Sequence, residues 1–176
     1  SELADAIGVT GVALPPTGVY EAASQGVIDG AMLTLEGLRS FRVAEVLPNT
    51  LTVDGGFYRG SFAIIMNPMV WDEVSAEDRE AIESVSGEQL SRLFGYMMDV
   101  SDERGVEFAK ELGNTFTQAS EEDIAMLREV SDELIETWAD KVSRGDLDAR
   151  EALSYFRDQL DVAAEEESIA SRVVQQ

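Results

Sequence analysis

The stretch that decides the fold is GVALPPTGVYEAASQGVIDG, residues 11–30. An apolar run at 12–14 meets a double proline at 15–16, a short amphipathic segment follows, and a second apolar pair at 27–28 leads into Asp29-Gly30. Because Pro and Gly mark turns, this pattern predicts strand, rigid turn, short helix, tight turn and strand. Strands that alternate with short helices indicate a parallel α/β sheet, in which ligands lie at the carboxyl ends of the strands.

The composition excludes several classes of function. The chain has no Cys and no His, which removes Ser-His-Asp catalysis, cysteine nucleophiles and ordinary zinc sites. Its formal net charge of −22 repels phosphate backbones, so we expect no nucleic-acid partner. The sequence has no glycine-rich phosphate cradle and no EF-hand spacing, and Asp54-Gly55-Gly56 is interpreted as a turn, so we expect neither a cofactor nor a metal. The 35 Asp and Glu residues are interpreted as solvated helix faces rather than as a catalytic pair.

The length and the first residues bear on domain organisation. A chain of 176 residues is long enough for one domain with a substantial core. Residues 1–8 read as the end of an amphipathic helix with Gly8 as its C-cap. A chain that begins inside a helix is interpreted as a fragment that lacks an upstream part. No apolar run reaches the roughly 20 residues that span a bilayer.

Three further segments are predicted to be strands. Residues 51–53 form a brief candidate that is stopped by glycines. Residues 61–66, SFAIIM, are a dense apolar run between Gly60 and Pro68 and predict a buried central strand. Residues 114–117, NTFT, are a candidate edge strand.

A long helix is predicted after Pro68. Ser75 and Asp78 resemble an N-terminal cap, and apolar residues at helical spacing continue to Leu112. One helix of that span would be roughly 50 Å long, at about 1.5 Å per residue. Three glycines allow a break or a kink: Gly87, Gly95 and Gly105.

The other helices are shorter. Residues 32–41 predict a short helix or a helical turn. Two capping signals open the last helices: Ser120 with Asp123, and Asp148 with Glu151. Trp71 and Trp138 fit the apolar stripes of their helices and are predicted to be core residues. From Glu165 the helical pattern fades into an acidic tail, which we expect to be frayed.

The order of several motifs resembles a known family. The motif VYEA at 19–22 is followed by GVIDG at 26–30, by EV at 45–46 before a strand, and by MNPMVW at 66–71 before a long helix. This order is similar to that of the periplasmic solute-binding subunit of TRAP transporters, the DctP-type family. The resemblance covers residues 1–164.

The resemblance implies a fold and a division of the chain. Members are two-lobed α/β clamshells of two-domain size, with one long helix that crosses both lobes, so we expect a helix-rich C-terminal portion of such a clamshell. The hinge strands would lie near 51–53 and 60–66. The expected parts are 1–53 in the second ligand-binding lobe, 54–74 as the crossover strand and the return to the first lobe, 75–113 as the long lobe-spanning helix, 114–164 as a strand and the C-terminal helices, and 165–176 as the acidic tail.

The resemblance also implies a ligand-facing wall. Pro16 occupies the turn where many members place an aromatic residue that covers the ligand, and proline does not stack in the same way. Leu33 stands where many dicarboxylate- and sialate-type members have an asparagine that reaches the ligand, so a hydrogen-bonding group is absent here. Thr34 is the nearest polar substitute. We therefore expect a pocket unlike those of the dicarboxylate and sialate members.

Aromatic and basic residues complete the predicted site. Phe57 and Tyr58 lie near the crossover between lobes, where they would either form an aromatic wall or pack in the core beside the hinge. Arg59, Arg39 and Arg42 are candidates to pair with an anionic ligand, although exposed arginine is the default.

The resemblance implies a binding protein and not an enzyme. It would be a periplasmic subunit that captures a small organic acid, a carboxylate, between two lobes and delivers it to TRAP membrane subunits. The family's carboxylate-binding arginine lies upstream of the helix that ends at Gly8, so this chain alone is not expected to bind ligand with normal affinity. Two alternatives stay open: a helical module that dimerises through the long helix or an exposed apolar face, and a small acidic α/β enzyme.

Overall fold

The computed structural model describes residues 2–54, 56, 57, 60, 62–145 and 147–174, with 163–174 described as helix backbone. The helices are α1 Glu2–Ala6, α2 Pro16–Ser24, α3 Gly37–Ser40, α4 Pro68–Glu73, α5 Ala76–Ser84, α6 Glu88–Glu111, α7 Glu121–Val142 and α8 Ala149–Val174. A 3₁₀ turn spans Val43–Glu45, and the two strands of the described residues are β1 Asn49–Thr52 and β2 Thr115–Gln118.

The chain forms two compact units. Residues Val12–Ile124 form one unit, which holds α2 to α6 and both strands. Residues Ser1–Gly11 and Ala125–Gln176 form the other, which holds α1, most of α7, and α8. In this second unit Nζ of Lys141 donates to Oε1 of Glu2 at 3.0 Å.

The two strands pair in parallel. Thr50 lies opposite Phe116, and Thr52 lies opposite Gln118. The N–H of Ala119 extends the ladder by donating to the carbonyl of Thr52 at 2.8 Å. The strands predicted at 51–53 and 114–117 are therefore confirmed within one or two residues, as is their parallel class.

The core of the unit Val12–Ile124 lies where α3, the 3₁₀ turn and the end of α6 meet. Leu38, Ala44 and Ala109 are buried there, and Leu35, Phe108 and Phe116 pack against them. Alanine at 109 leaves room for close contact between α6 and the shorter elements. Among the described residues, no large side chain is fully buried.

Local capping signals fold as predicted. Oγ of Ser75 accepts from the N–H of Asp78 at 3.1 Å at the start of α5. Oδ1 of Asp148 accepts from the N–H of Arg150 at 2.9 Å at the start of α8. Gly8 has φ 77°, the left-handed conformation that ends a helix such as α1. These signals succeed because each depends on neighbours within a few residues.

The helix predicted over 75–113 is interrupted at the first of the three glycines that allow a break. α5 ends at Ser84, and α6 begins after Gly87, which has φ 68° and ψ −136°. An L-residue rarely adopts that conformation, whereas glycine adopts it readily. Gly95 and Gly105 lie within a continuous α6.

Several predicted strands and core positions are wrong. Residues 12–14 and 27–28 are not strands, and the described part of the predicted central strand, 62–66, has no regular secondary structure and has exposed side chains. Ser61 lies outside the described residues. An apolar run becomes a strand only where another strand offers hydrogen bonds, and no described strand pairs with these segments.

Two further expectations need correction. Trp138 is 45% exposed and is not a core residue, although Trp71 is half-buried. The backbone of α8 continues to Val174, so the helix does not end near Glu165. The segment AAEEESIASRVV is rich in good helix formers, and their propensity outweighs the weak apolar pattern.

Candidate ligand-facing wall

The double proline begins α2. Pro15 has an extended backbone, with φ −65° and ψ 144°, and Pro16 is the first helical residue, where no N–H is needed. The carbonyl of Pro15 accepts from the N–H of Gly18 at 2.8 Å. Pro16 is exposed, so it presents an apolar ring at the start of α2.

Leu33 and Thr34 lie side by side in the loop before α3, and both are half-buried. The carbonyl of Thr34 accepts from the N–H of Gly37 at 3.0 Å, and its Oγ1 donates to Oε1 of Glu36 at 3.4 Å. Cβ and Cδ1 of Leu33 lie 3.6 Å from the position that a Cβ would take at Gly37. The loop therefore folds back onto the start of α3, with Leu33 packed against it.

Helix α6 holds this loop through two contacts. Oδ1 of Asp102 accepts from the backbone N–H of Glu36 at 2.7 Å. One turn further along α6, Gly105 is buried against the backbone of Leu35. A charge-assisted hydrogen bond and a close backbone contact thus hold the chain directly after Thr34.

Arg42 is paired within the protein. Its Nε and Nη2 donate to Oε1 and Oε2 of Glu45, each at 2.7 Å. Its guanidinium carbon lies 5.3 Å from the ring centroid of Tyr20 on α2. Hydrogen bonding between Arg42 and Glu45 raises the pKa of Arg42 and lowers the pKa of Glu45. Arg42 is therefore engaged by Glu45 rather than free for an anionic ligand.

The other predicted site residues are dispersed along the chain. Phe57 is half-buried, on a segment separate from both Pro16 and the loop of Leu33 and Thr34. Tyr58 and Arg59 lie outside the described residues. The sequence reading missed the set Tyr20, Arg42 and Glu45, although the i,i+3 spacing of Arg42 and Glu45 is a signal that could have found the ion pair.

The described part of the chain has many acidic side chains and an open hollow lined by residues other than those of this wall. It contains no group of three or more acidic side chains arranged to hold a metal ion. An open hollow of about 370 Å³ lies at the turn between α7 and α8 and contains none of the predicted site residues. Its lining residues are Ser143, Arg144, Gly145, Leu147, Asp148 and Arg150.

Solved structures of similar fold define the class of protein. A TRAP periplasmic solute-binding protein from Bordetella bronchiseptica, with bound (R)-mandelate and (S)-mandelate, matches with a TM-score of 0.84 and 26% identity over 92% of this chain and 51% of that chain. A TRAP solute-binding protein from Rhodoferax ferrireducens, in complex with copurified benzoate, matches with a TM-score of 0.82 and 21% identity over 94% and 52%. The fold is that of a TRAP-type periplasmic solute-binding protein.

The chain belongs to the DctP family, bacterial extracellular solute-binding protein family 7, whose model matches residues 1–141. A curated relative, the outer membrane transporter protein TsaT of Comamonas testosteroni, is 26% identical over 163 residues, which are 90% of this chain and 47% of the relative. The chain thus spans about half the length of the relatives it matches.

The family settles several of the predictions. The fold class, the DctP-type resemblance and the extracytoplasmic, periplasmic location are confirmed. The family consists of binding proteins, which confirms the prediction that the chain is not an enzyme. Within the part of the chain that the structure describes, none of the helices has the length and apolarity to cross a membrane.

Proposed function

We propose that the chain is the C-terminal half of a TRAP-type solute-binding protein that captures a small organic acid between two lobes and delivers it to membrane subunits. The observation that carries this proposal is the match over 92% of the chain, at 26% identity and a TM-score of 0.84, to a protein with bound mandelate. Lobe closure would follow from tighter binding of the acid by the closed state than by the open state.

The ligand class that we propose is a small aromatic carboxylic acid. Mandelate, the ligand of the Bordetella bronchiseptica protein, is such an acid. The candidate wall supplies apolar surface through Pro16 and Leu33 and one hydroxyl through Thr34. An apolar wall with few polar groups suits the ring of such a ligand better than it suits a second carboxylate.

The charge of the carboxylate needs a partner from outside this wall. Residues 1–38 contain no Lys and no Arg. Of the predicted partners, Arg42 is paired with Glu45 at 2.7 Å. Arg39 lies exposed on α3, and Arg59 lies outside the described residues. A bidentate arginine is the usual partner of a carboxylate, and we place it in the part of the protein that precedes residue 1.

Exposed apolar surface supports the existence of that preceding part. We call residues 62–66 the bare segment. Phe62 is 82% exposed and Ile65 is 88% exposed. The first half of α6 also exposes apolar side chains, whereas its buried residues, Gly105 and Ala109, lie in the second half. Contiguous exposed apolar surface of this kind marks an interface.

The proposal is tested by comparing two polypeptides. One is the present chain, and the other is the longer product of the same reading frame, which includes the residues before residue 1. Isothermal titration with mandelate should show binding to the longer protein and at least a 100-fold weaker affinity for the present chain. Mandelamide, which has no charge, is the matched ligand control and should bind neither. Equal affinity of both polypeptides for mandelate would contradict the placement of the arginine, and a lack of binding to the longer protein would contradict the ligand class.

The bare segment favours a second candidate, in which two copies of the chain associate through their exposed apolar surfaces. The net charge of −22 on each copy opposes such association and is screened by salt. Light scattering after size exclusion, at low and at high salt, distinguishes the two candidates. A stable dimer of the longer protein would favour a homodimer, and a monomer of the longer protein would favour the two-lobed protein.

A further inference from the structure

Helix α2 has few attachments to the rest of its unit. Val19 is its one buried residue, and Pro15 provides no side-chain cap. Its hydrogen bonds, such as Oγ of Ser24 to the carbonyl of Glu21, are local. Among the described residues, the contacts that join α2 to another helix or turn through a ring or a charged group come from Tyr20: Arg42 lies over its ring, and its hydroxyl adds to the larger effect of Arg42 in lowering the pKa of Glu45.

The partner of Tyr20 has an unusual backbone. Arg42 has φ 55° and ψ 23°, and it is the one non-glycine residue of the described chain with positive φ. The left-handed conformation is unfavourable for arginine and persists only where surrounding contacts hold it. An observed outlier of this kind supports a hypothesis of function.

The contacts that hold Arg42 are anchored in the core. Its guanidinium has one edge on the carboxylate of Glu45, with two hydrogen bonds of 2.7 Å, and it lies over the ring of Tyr20. Glu45 follows Ala44, which is buried in the core cluster. The carbonyl of Ala44 accepts from Nδ2 of Asn114 at 2.8 Å, which fixes this turn to the short connection between α6 and β2.

We propose that Arg42 is a positioning residue, which clamps α2 to the core by holding the ring of Tyr20 while Glu45 orients the guanidinium. The left-handed backbone places the side chain between the two partners. The clamp sets the position of Pro16 at the start of α2, and its effect on ligand rests on the proposed function, whereas the clamp itself does not.

Amide hydrogen exchange on the present chain tests the clamp. Arg42→Gly removes the side chain and also relieves the strained backbone, so the stability of the unit should change little. Amides of α2 should then exchange about three to ten times faster, while amides in the second half of α6 stay unchanged. Arg39→Ala, which removes an exposed arginine from α3, is the matched control and should change neither set.

Conservative variants separate positioning from general structure. Tyr20→Phe keeps the ring under Arg42 and removes only the hydroxyl that acts on Glu45, so it should preserve most of the slow exchange in α2, whereas Tyr20→Leu should accelerate exchange as Arg42→Gly does. In the variant that combines Tyr20→Leu with Arg42→Gly, the amides of α2 should exchange no faster than in the faster of the two single variants, because both substitutions remove the same contact. Unchanged exchange of α2 in Arg42→Gly, or equal acceleration of α2 and α6, would overturn the clamp.

The link to ligand binding is tested in the longer protein. Arg42→Gly should weaken mandelate binding there by about the same factor that it accelerates exchange in α2. Unchanged affinity would overturn the link between α2 and the ligand. Failure of the proposed function is distinct from this, since the unaltered longer protein would then not bind mandelate at all.

Discussion

Gly105 of α6 lies against the backbone of Leu35. A Cβ at residue 105 would overlap the carbonyl oxygen of Leu35 and would stand 2.9 Å from its carbonyl carbon and 3.1 Å from Cα of Glu36. Backbone atoms cannot turn aside as the end of a flexible side chain can. The loop of Leu33 and Thr34 therefore depends on the absence of a side chain at residue 105.

Gly105→Ala is expected to destabilise the unit Val12–Ile124 by about 2 kcal/mol, since overpacking costs roughly 1–3 kcal/mol. Gly95 on the same helix is the matched control, because a Cβ there meets nothing within 4 Å. Gly95→Ala is expected to stabilise the unit by about 0.5–1 kcal/mol. Urea unfolding followed by circular dichroism measures both. Equal changes in the free energy of unfolding would contradict the close packing of α6 on Leu35.

Asp102 offers a second test of how this loop is held. Asp102→Ala leaves the partly buried N–H of Glu36 without its acceptor, which is expected to cost about 1–3 kcal/mol of unfolding free energy. Asp102→Asn keeps an oxygen acceptor and is expected to cost less than half of that. Exchange of the Glu36 amide, measured by NMR, should accelerate in the alanine variant. If both variants lose the same stability, the hydrogen bond is not what anchors the loop.

The start of α7 predicts a dependence on pH. The hydroxyl of Ser120 and its N–H donate to Oδ2 of Asp123 at 2.5 and 3.0 Å, and these hydrogen bonds, the hydroxyl's first, lower the pKa of Asp123 from its ordinary 3.8. A carboxyl group with a lowered pKa in the folded protein stabilises it above pH 3.8 and loses that contribution as the pH falls through the lowered pKa.

Ser120→Ala is therefore expected to lower the urea midpoint at neutral pH and to flatten its further fall at acid pH. Asp123→Asn, which cannot titrate, should show the same flattening. Urea unfolding at a series of pH values from neutral to about 2.5 measures the effect, over a range set by the ordinary pKa of aspartate. A serine-to-alanine variant that keeps the full acid dependence of the unaltered chain would refute this origin of the pKa shift.

Local signals predicted helices better than strands. Ser75, Ser120 and Asp148 each open a helix through contacts within three residues, so a single sequence contains all the information required. A strand needs a partner that lies far along the chain. The segments 12–14 and 62–66 have the composition of strands and no described partner, which is why their prediction was wrong.

The candidate site was predicted unevenly for the same reason. The proline turn before α2 forms as predicted, since it is a local feature. The short helix predicted over 32–41 forms only as α3, Gly37–Ser40, so Leu33 and Thr34 lie in the loop before it. The contact between Tyr20 and Arg42 joins residues far apart in sequence, and no local pattern reveals it. Assignment of Arg42 to Glu45 instead of to a ligand likewise needed the structure.

A substitution in the bare segment distinguishes a two-lobed protein, in which an upstream part covers this segment, from a chain that forms a complete domain by itself. Ile65 is 88% exposed in the present chain, so Ile65→Ser is expected to change its unfolding free energy by less than about 0.5 kcal/mol. If the upstream part covers this side chain in the longer protein, as the proposed function requires, the substitution is expected to cost about 2–5 kcal/mol there. Leu38→Ala is the matched control, because Leu38 is a core residue in both polypeptides and should cost about 2–5 kcal/mol in each.

Urea unfolding of the four variants measures these differences. A loss in the short chain as large as that of Leu38→Ala would show that Ile65 is already buried there, and an equally small loss in both polypeptides would show that the upstream part does not cover the bare segment.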